Sequence, residues 1–176
     1  MIIVECNPDE FVIRSIIADS DTQIKHGGGK GNVLKKVREE QGTIGVIDED
    51  PHSAQPREMD RYIKEDAKET VRLLKRQDDN AKKLIQLSPD IEGWLINRAK
   101  ENEISLKDYG LPDDRRRMHD VHHIQKDKDF QRFVGELIQT DDDEVNAIRK
   151  WITEAIVDES KCGNIREIMK AGGLND

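Results

Sequence analysis

Two periods of apolar residues alternate along the first 90 positions of the chain. Ile2–Glu5 is a short apolar run ending in an acid, the mark of a buried strand. Asn7-Pro8-Asp9-Glu10 then reads as a helix start, with Asn7 as cap, Pro8 at the first helical position and Glu10 at the capping-box position. That helix is predicted to reach about Ile17 and to bury Phe11, Val12 and Ile16. Thr22–Lys25 is a weaker strand, and His26-Gly27-Gly28-Gly29-Lys30-Gly31-Asn32 is a glycine-rich turn. Val33, Leu34 and Val37 open a second helix, which closes near Gln41-Gly42. Ile44–Ile47 is a third strand, running into Asp48-Glu49-Asp50-Pro51. Met59, Tyr62, Ile63, Ala67, Thr70, Val71 and Leu74 recur at helical spacing and predict a third helix over Glu58–Gln77. Lys83–Leu87 is a fourth strand, ended by Ser88-Pro89.

Strands alternating with helices predict a mostly parallel, four-stranded sheet with crossover helices, covering residues 1–95. Beyond it, residues 96–176 read as a helical extension packed on that α/β unit. Ile91, Trp94 and Leu95 start its approach helix, and Asp108–Asp114 is turn-rich. Further helices are expected near Lys128–Gln139, Asp143–Val157 and Asn164–Ala171. At 176 residues the chain is long enough for one sizeable core.

Composition narrows the function. Charged residues make up 38% of the chain, yet both signs are interleaved with apolar periodicity, so disorder is not implied. The net charge of −8 excludes a protein that coats nucleic acid by bulk charge; it leaves room for an enzyme that grips phosphates locally. No apolar run approaches a membrane span, and Met1–Glu5 lacks the basic start of a signal peptide. Cys6 and Cys162 make neither a disulfide framework nor a zinc quartet, and Cys6 reads as a buried strand-end thiol. A cytoplasmic protein with no membrane contact is the expectation. Charge is uneven: residues 56–87 carry 9 bases and 7 acids, and residues 129–176 carry 6 and 11.

In an open parallel sheet, ligands bind outside the carboxyl ends of the strands. Here those ends deliver Glu5, His26 with its glycine turn, Asp48-Glu49-Asp50, and Ser88-Pro89 with Glu92 close behind. Asp48 and Asp50, two apart in extended backbone, project to one side. Crowding them with Glu5 is unfavourable unless a cation neutralises them. Oxygen ligands with room for water suit Mg²⁺ or Mn²⁺ better than zinc.

Val4-Glu5 between a strand and a helix, followed some 40 residues later by Ile47-Asp48-Glu49-Asp50, resembles a toprim domain, the metal-binding module of topoisomerases, primases and OLD-type nucleases. The glycine turn and Leu87–Leu95 resemble a poorly characterised toprim-like group. The resemblance spans about residues 1–100. It implies a toprim-like sheet, Glu5 as general acid/base and metal ligand, and Asp48 and Asp50 as metal ligands. One departure stands out: toprim domains usually have glycine after that glutamate, and this chain has Cys6, whose side chain narrows the approach of a phosphate.

The implied activity is Mg²⁺-dependent cleavage of nucleic-acid phosphodiesters, with Lys30 as a catalytic, phosphate-orienting base and Gly27, Gly28 and Gly29 as a phosphate cradle. The turn is not a Walker A loop, because Lys30 is followed by Gly31. Glu92 and His26 are additional candidates for the site. Arg61, Lys64, Lys68 and Arg72 fall at helical spacing and form a weak nucleic-acid contact stripe. Arg115-Arg116-Arg117 is a second basic cluster. His119, His122 and His123 share a helical face, but no known zinc spacing completes them. The chain is too short for the companion domains of a topoisomerase. The competing expectation is a non-catalytic, toprim-derived interaction or regulatory module, whose acidic tail docks a protein partner or a second copy.

Overall fold

The computed structural model describes residues 1–156. Its framework is a six-stranded mixed sheet built from β1 (Ile2–Val4), β2 (Ile24–His26), β3 (Ile44–Asp48), β4 (Tyr62–Ala67), β5 (Val71–Arg76) and β6 (Lys83–Leu87). The strands lie in the order β2-β1-β3-β6-β5-β4. β1, β2, β3 and β6 run parallel, whereas β5 is antiparallel to both β6 and β4. The described helices are α1 (Asn7–Ile17), α2 (Lys30–Glu39), α3 (Ile91–Glu101), α4 (Arg115–His119), α5 (Lys128–Leu137) and α6, residues 143–156. The helix expected at Asn164–Ala171, like Val157 and Cys162, lies outside the described residues.

Strand alternation assigns the two faces of the sheet. Ile2 and Val4 point into one apolar cluster, and Ile3 between them points into the other. The chain leaves β1 for β2 in one direction, then returns across β1 to β3. With right-handed crossovers, that reversal sends α1 and α2 to opposite faces. α2 covers one face through Val33, Leu34 and Val37. The other face carries α1, α3 and the helical extension, which share one continuous core running from Ile2 through Trp94 and Phe133 to Trp151. α3 crosses residue 95, so the extension begins inside a helix already embedded in the sheet's core.

The helix expected over Glu58–Gln77 is instead a 3-10 turn, Arg57–Arg61, followed by the β4–β5 hairpin, which makes the sheet six-stranded rather than four-stranded. Leu73 enters one apolar cluster and the adjacent Leu74 the other, as only a strand allows. β4 is an edge strand carrying Lys64, Glu65 and Asp66 outward, the charged composition that discourages edge pairing. Helical spacing of apolar residues across the segment came from two amphipathic strands read end to end.

Candidate metal and phosphate site

The adjacent strands β1 and β3 belong to connections that leave in opposite directions, so a crevice opens between their carboxyl ends. Glu5 follows β1 and Asp48 ends β3. Glu5, Asp48 and Asp50 each bring one carboxylate oxygen to within 4.8 Å of the others. The two aspartates converge by a turn, not by strand alternation. β3 stops at Asp48, and Asp50 takes a left-handed φ of 47°, a conformation aspartate tolerates better than most residues. Its N–H donates to the Pro89 carbonyl at 2.9 Å, which holds the turn against the end of β6.

The buried environment raises the proton affinity of Asp48 and Glu5. Burial pushes Asp48 up to about 9, reinforced by the neighbouring charges of Asp9, Glu5, Asp90 and Asp50. Burial also raises Glu5, against the pull of the Asp48 N–H and the Lys30 charge. Asp48 Oδ1 is buried without a hydrogen-bond partner among the described residues, an acceptor left over for a ligand. Asp9 lies at the first turn of α1, 2% exposed, with its carboxyl pushed up to about 6 by burial. Its Oδ2 accepts the Cys6 N–H at 2.9 Å, whereas Oδ1 has no partner among the described residues.

Cys6, not Asn7, is therefore the residue that caps α1, and Asp9 rather than Glu10 closes the box. Phe11 is only half-buried, with Ile13 fully buried beside Val12 and Ile16. Cys6 itself is exposed and lines the cleft, contrary to the buried thiol expected. Glu10 turns away to bind His26 Nε2 at 2.6 Å and Arg14 at 2.9 Å. His26 thus faces Glu10 and is not among the residues lining the cleft.

The cleft has a volume of about 810 Å³. Gly28 and Gly29 line it with positive φ values of 78° and 117°, and Gly29 precedes the first turn of α2, whereas Gly27 does not reach it. Gly27 instead sits where a Cβ would come within 2.6 Å of Val33, so its smallness serves the packing of α2. Lys30 is held as a brace: its Nζ lies 3.2 Å from Asp50 Oδ2, 3.1 Å from the Glu49 carbonyl and 3.0 Å from Gln55 Oε1. Glu49 points elsewhere, to Arg72 at 2.6 Å and to the Ser88 hydroxyl; burial raises its carboxyl, but these two contacts outweigh it and lower it overall.

Glu92 is buried and lines the cleft, outside the triad, with Oε1 3.3 Å from His119 Nδ1. Asp90 caps α3 by accepting the Gly93 N–H at 2.8 Å, and its second oxygen binds Arg115 Nε. Asp114, Arg115, Arg116 and His119 complete the lining from α4 and its cap. Sequence reasoning placed none of Asp9, Asp90 or Asp114 in the site. The signals were an aspartate five residues past the end of β1, in the first turn of α1, and two aspartates directly before helices. His122 and His123 do not line the cleft.

The stripe expected from Arg61, Lys64, Lys68 and Arg72 does not form, because its helix is a hairpin. Arg61 lies against Glu58 and Asp78, Lys68 is 3.6 Å from Asp143, Arg72 binds Glu49, and Lys64 is on the exposed edge strand. None of the four lines the cleft. Among the described residues no helix is long and apolar enough to cross a membrane.

Comparison of the chain with protein-family models, with curated proteins and with solved structures found no match.

Proposed function

We propose that the cleft is the active site of a Mg²⁺- or Mn²⁺-dependent phosphodiesterase acting on nucleic acid, of toprim type. The observation that carries this reading is the triad of Glu5, Asp48 and Asp50, oxygen ligands gathered within 4.8 Å at the switch point of the sheet. The donor set suits a hard cation, and the unpartnered, buried Asp48 Oδ1 suits direct ligation. Asp48 and Asp50 would hold the metal, with Glu5 beside them as the proton carrier. When bound, it would polarise the phosphate and lower the pKa of water.

The chain's own groups supply the rest. Lys30 fixes Asp50 in place through its ion pair and through the Glu49 carbonyl. Glu5, raised by burial, is suited to carry a proton between water and the leaving oxygen. Gly28 and Gly29, lacking side chains, allow a phosphate to approach the start of α2.

A second reading, a non-catalytic module that binds a protein partner or a second copy, draws on the Lys30–Asp50 pair, which neutralises part of the cluster without a cation. One experiment separates them. The protein is incubated with Mg²⁺ or Mn²⁺ and a panel of single- and double-stranded DNA and RNA, and its melting temperature is followed against cation concentration. Cleavage and a cation-induced rise in melting temperature, both lost in Asp48→Asn, support the phosphodiesterase. A cation-blind melting temperature with no cleavage returns the site to the interaction module.

A further inference from the structure

We infer that α4 forms the nucleic-acid grip of this cleft, with Arg116, Arg115 and His119 binding backbone phosphates beside the carboxylate triad. The inference rests on the proposed reading only for the identity of the polymer.

The argument begins with charge. Six acids, Glu5, Asp48, Asp50, Asp90, Glu92 and Asp114, line one cleft in a chain of net charge −8. A divalent cation offsets part of that field, and a polyanion still needs local positive charge to approach. Among the described residues, the basic side chains lining the cleft are Arg115, Arg116 and His119, all from α4.

Two of them are held in place. Asp90 Oδ2 binds Arg115 through Nε alone, which leaves the two terminal guanidinium nitrogens without a partner among the described residues. Glu92 takes His119 at Nδ1, and Nε2 has no partner there. Both acids are anchored on α3, at its cap and first turn, so α4 is registered against the element that leads directly from β6. Arg115 and His119 are four residues apart and share a helical face. Arg116 makes no side-chain hydrogen bond or ion pair among the described residues, although it lines the cleft. A free guanidinium beside a metal-type carboxylate cluster is suited to grip a phosphate through paired N–H donors.

The exposure of this wall selects a polymer. The His119 side chain is 73% exposed and that of Arg115 45% exposed, so the grip is an open rim from which a strand can run on into solvent. The helical extension thus supplies the contact that the hairpin's paired-off bases do not.

The test is fluorescence anisotropy of a labelled single-stranded oligonucleotide, in EDTA and separately with Mg²⁺, over a salt series. The variants are Arg116→Ala, Arg116→Glu and, as a charge-matched control, Arg117→Glu on the same short helix but outside the cleft lining. Arg116→Ala is expected to weaken binding roughly tenfold, the scale of one charged hydrogen-bonded contact, and to reduce the salt slope by about one. Arg117→Glu is expected to remain much closer to wild type than Arg116→Glu. Calorimetric Mg²⁺ binding is measured in parallel and is expected to be unchanged in Arg116→Ala.

The inference is overturned if wild type does not bind the oligonucleotide in either condition, or if Arg116→Glu and Arg117→Glu weaken binding equally. Competition by inorganic phosphate as effective as the oligonucleotide, per phosphate, would likewise overturn the polymer assignment. Failure of wild type to bind Mg²⁺ would defeat the phosphodiesterase while leaving the EDTA arm readable for α4.

Discussion

The Asp48 backbone N–H donates to Glu5 Oε1 at 3.0 Å, tying the last residue of β3 to the residue just past β1. Two acids that repel each other through their side chains are thereby held together by the backbone of one and the carboxylate of the other. The sheet, not the charges, sets their separation, and the cost of that proximity is open to measurement.

Burial holds the Asp48 carboxyl at about 9, so at neutral pH folding must put a proton on it, a cost that an uncharged amide at this position avoids. Asp48→Asn is expected to stabilise the cation-free protein at neutral pH by at least about 1 kcal/mol, given about 1.4 kcal/mol per pKa unit. The same variant is expected to lose the Mg²⁺-induced rise in melting temperature. Thermal denaturation with and without Mg²⁺ checks both; a retained full Mg²⁺ shift would show that Asp48 is not a ligand.

The pH dependence has a definite sign. Asp48 and Asp9 have folded values of about 9 and about 6, above their unfolded value of 3.8, so the folded state binds more protons between these limits. Their contribution is therefore most favourable at the acid end and declines as pH rises through about 6 and then about 9. Cation-free stability attributable to the cluster should fall from pH 5 to pH 9. Asp48→Asn should flatten the upper part of the slope. Mg²⁺, competing with those protons, should stabilise more at pH 8 than at pH 6. Denaturant titrations across this range, with and without Mg²⁺, provide the measurement.

Lys30→Met removes the brace on Asp50. The Lys30 side chain is 9% exposed and its partner carboxylate 35% exposed, so solvent screens part of the pair and the expected loss is about 1 kcal/mol without cation. Saturating Mg²⁺ should recover part of it by taking over the neutralisation of Asp50. Chemical denaturation in EDTA and in Mg²⁺ separates the two contributions.

Asp90 serves α3 and α4 at once. Asp90→Ala is expected to cost about 1 kcal/mol or more through loss of the cap. Asp90→Ser keeps a capping oxygen and should retain most of that stability, while freeing Arg115 and weakening oligonucleotide binding. A Ser variant with wild-type binding would show that the Arg115 contact does not position the grip.

Glu144 is the strongest stability prediction. It is 2% exposed and accepts from the Thr70 N–H and hydroxyl, each at 2.6 Å, and from Trp94 Nε1 at 2.9 Å. Arg98 Nε lies 3.3 Å away. One carboxylate thus joins the hairpin turn, α3 and α6. Glu144→Ala leaves the buried Thr70 and Trp94 donors unmet and removes one of the two carboxylates beside Arg98, which keeps Asp142 at 3.3 Å, and is expected to cost about 3 kcal/mol. Equilibrium unfolding gives the value directly.

The residue sequence by itself determined the parallel part of the sheet, because β1, β3 and β6 are apolar runs too short for helices and bounded by turn residues. It also determined that Glu5, Asp48 and Asp50 emerge at one rim, since parallel strands place all their carboxyl ends on the same side. Local chemistry sufficed for the start of α3, where Pro89 and Asp90 precede an apolar stripe of Ile91, Trp94 and Leu95.

What the tertiary structure decided was every feature that depends on a partner distant in sequence. Residues 58–77 carry apolar spacing compatible with a helix, and only the open edge of β6, which β5 fills, makes two strands the better solution. Arg72 looked like a phosphate contact until Glu49 came within 2.6 Å of it. Arg115 and His119 acquired their places from Asp90 and Glu92, some 25 residues earlier, through the packing of α4 on α3. A period in the sequence reports which face of an element is apolar. It carries no record of which charged group from elsewhere will neutralise a given side chain, because burial and Coulomb energies are set by distances that exist only after folding.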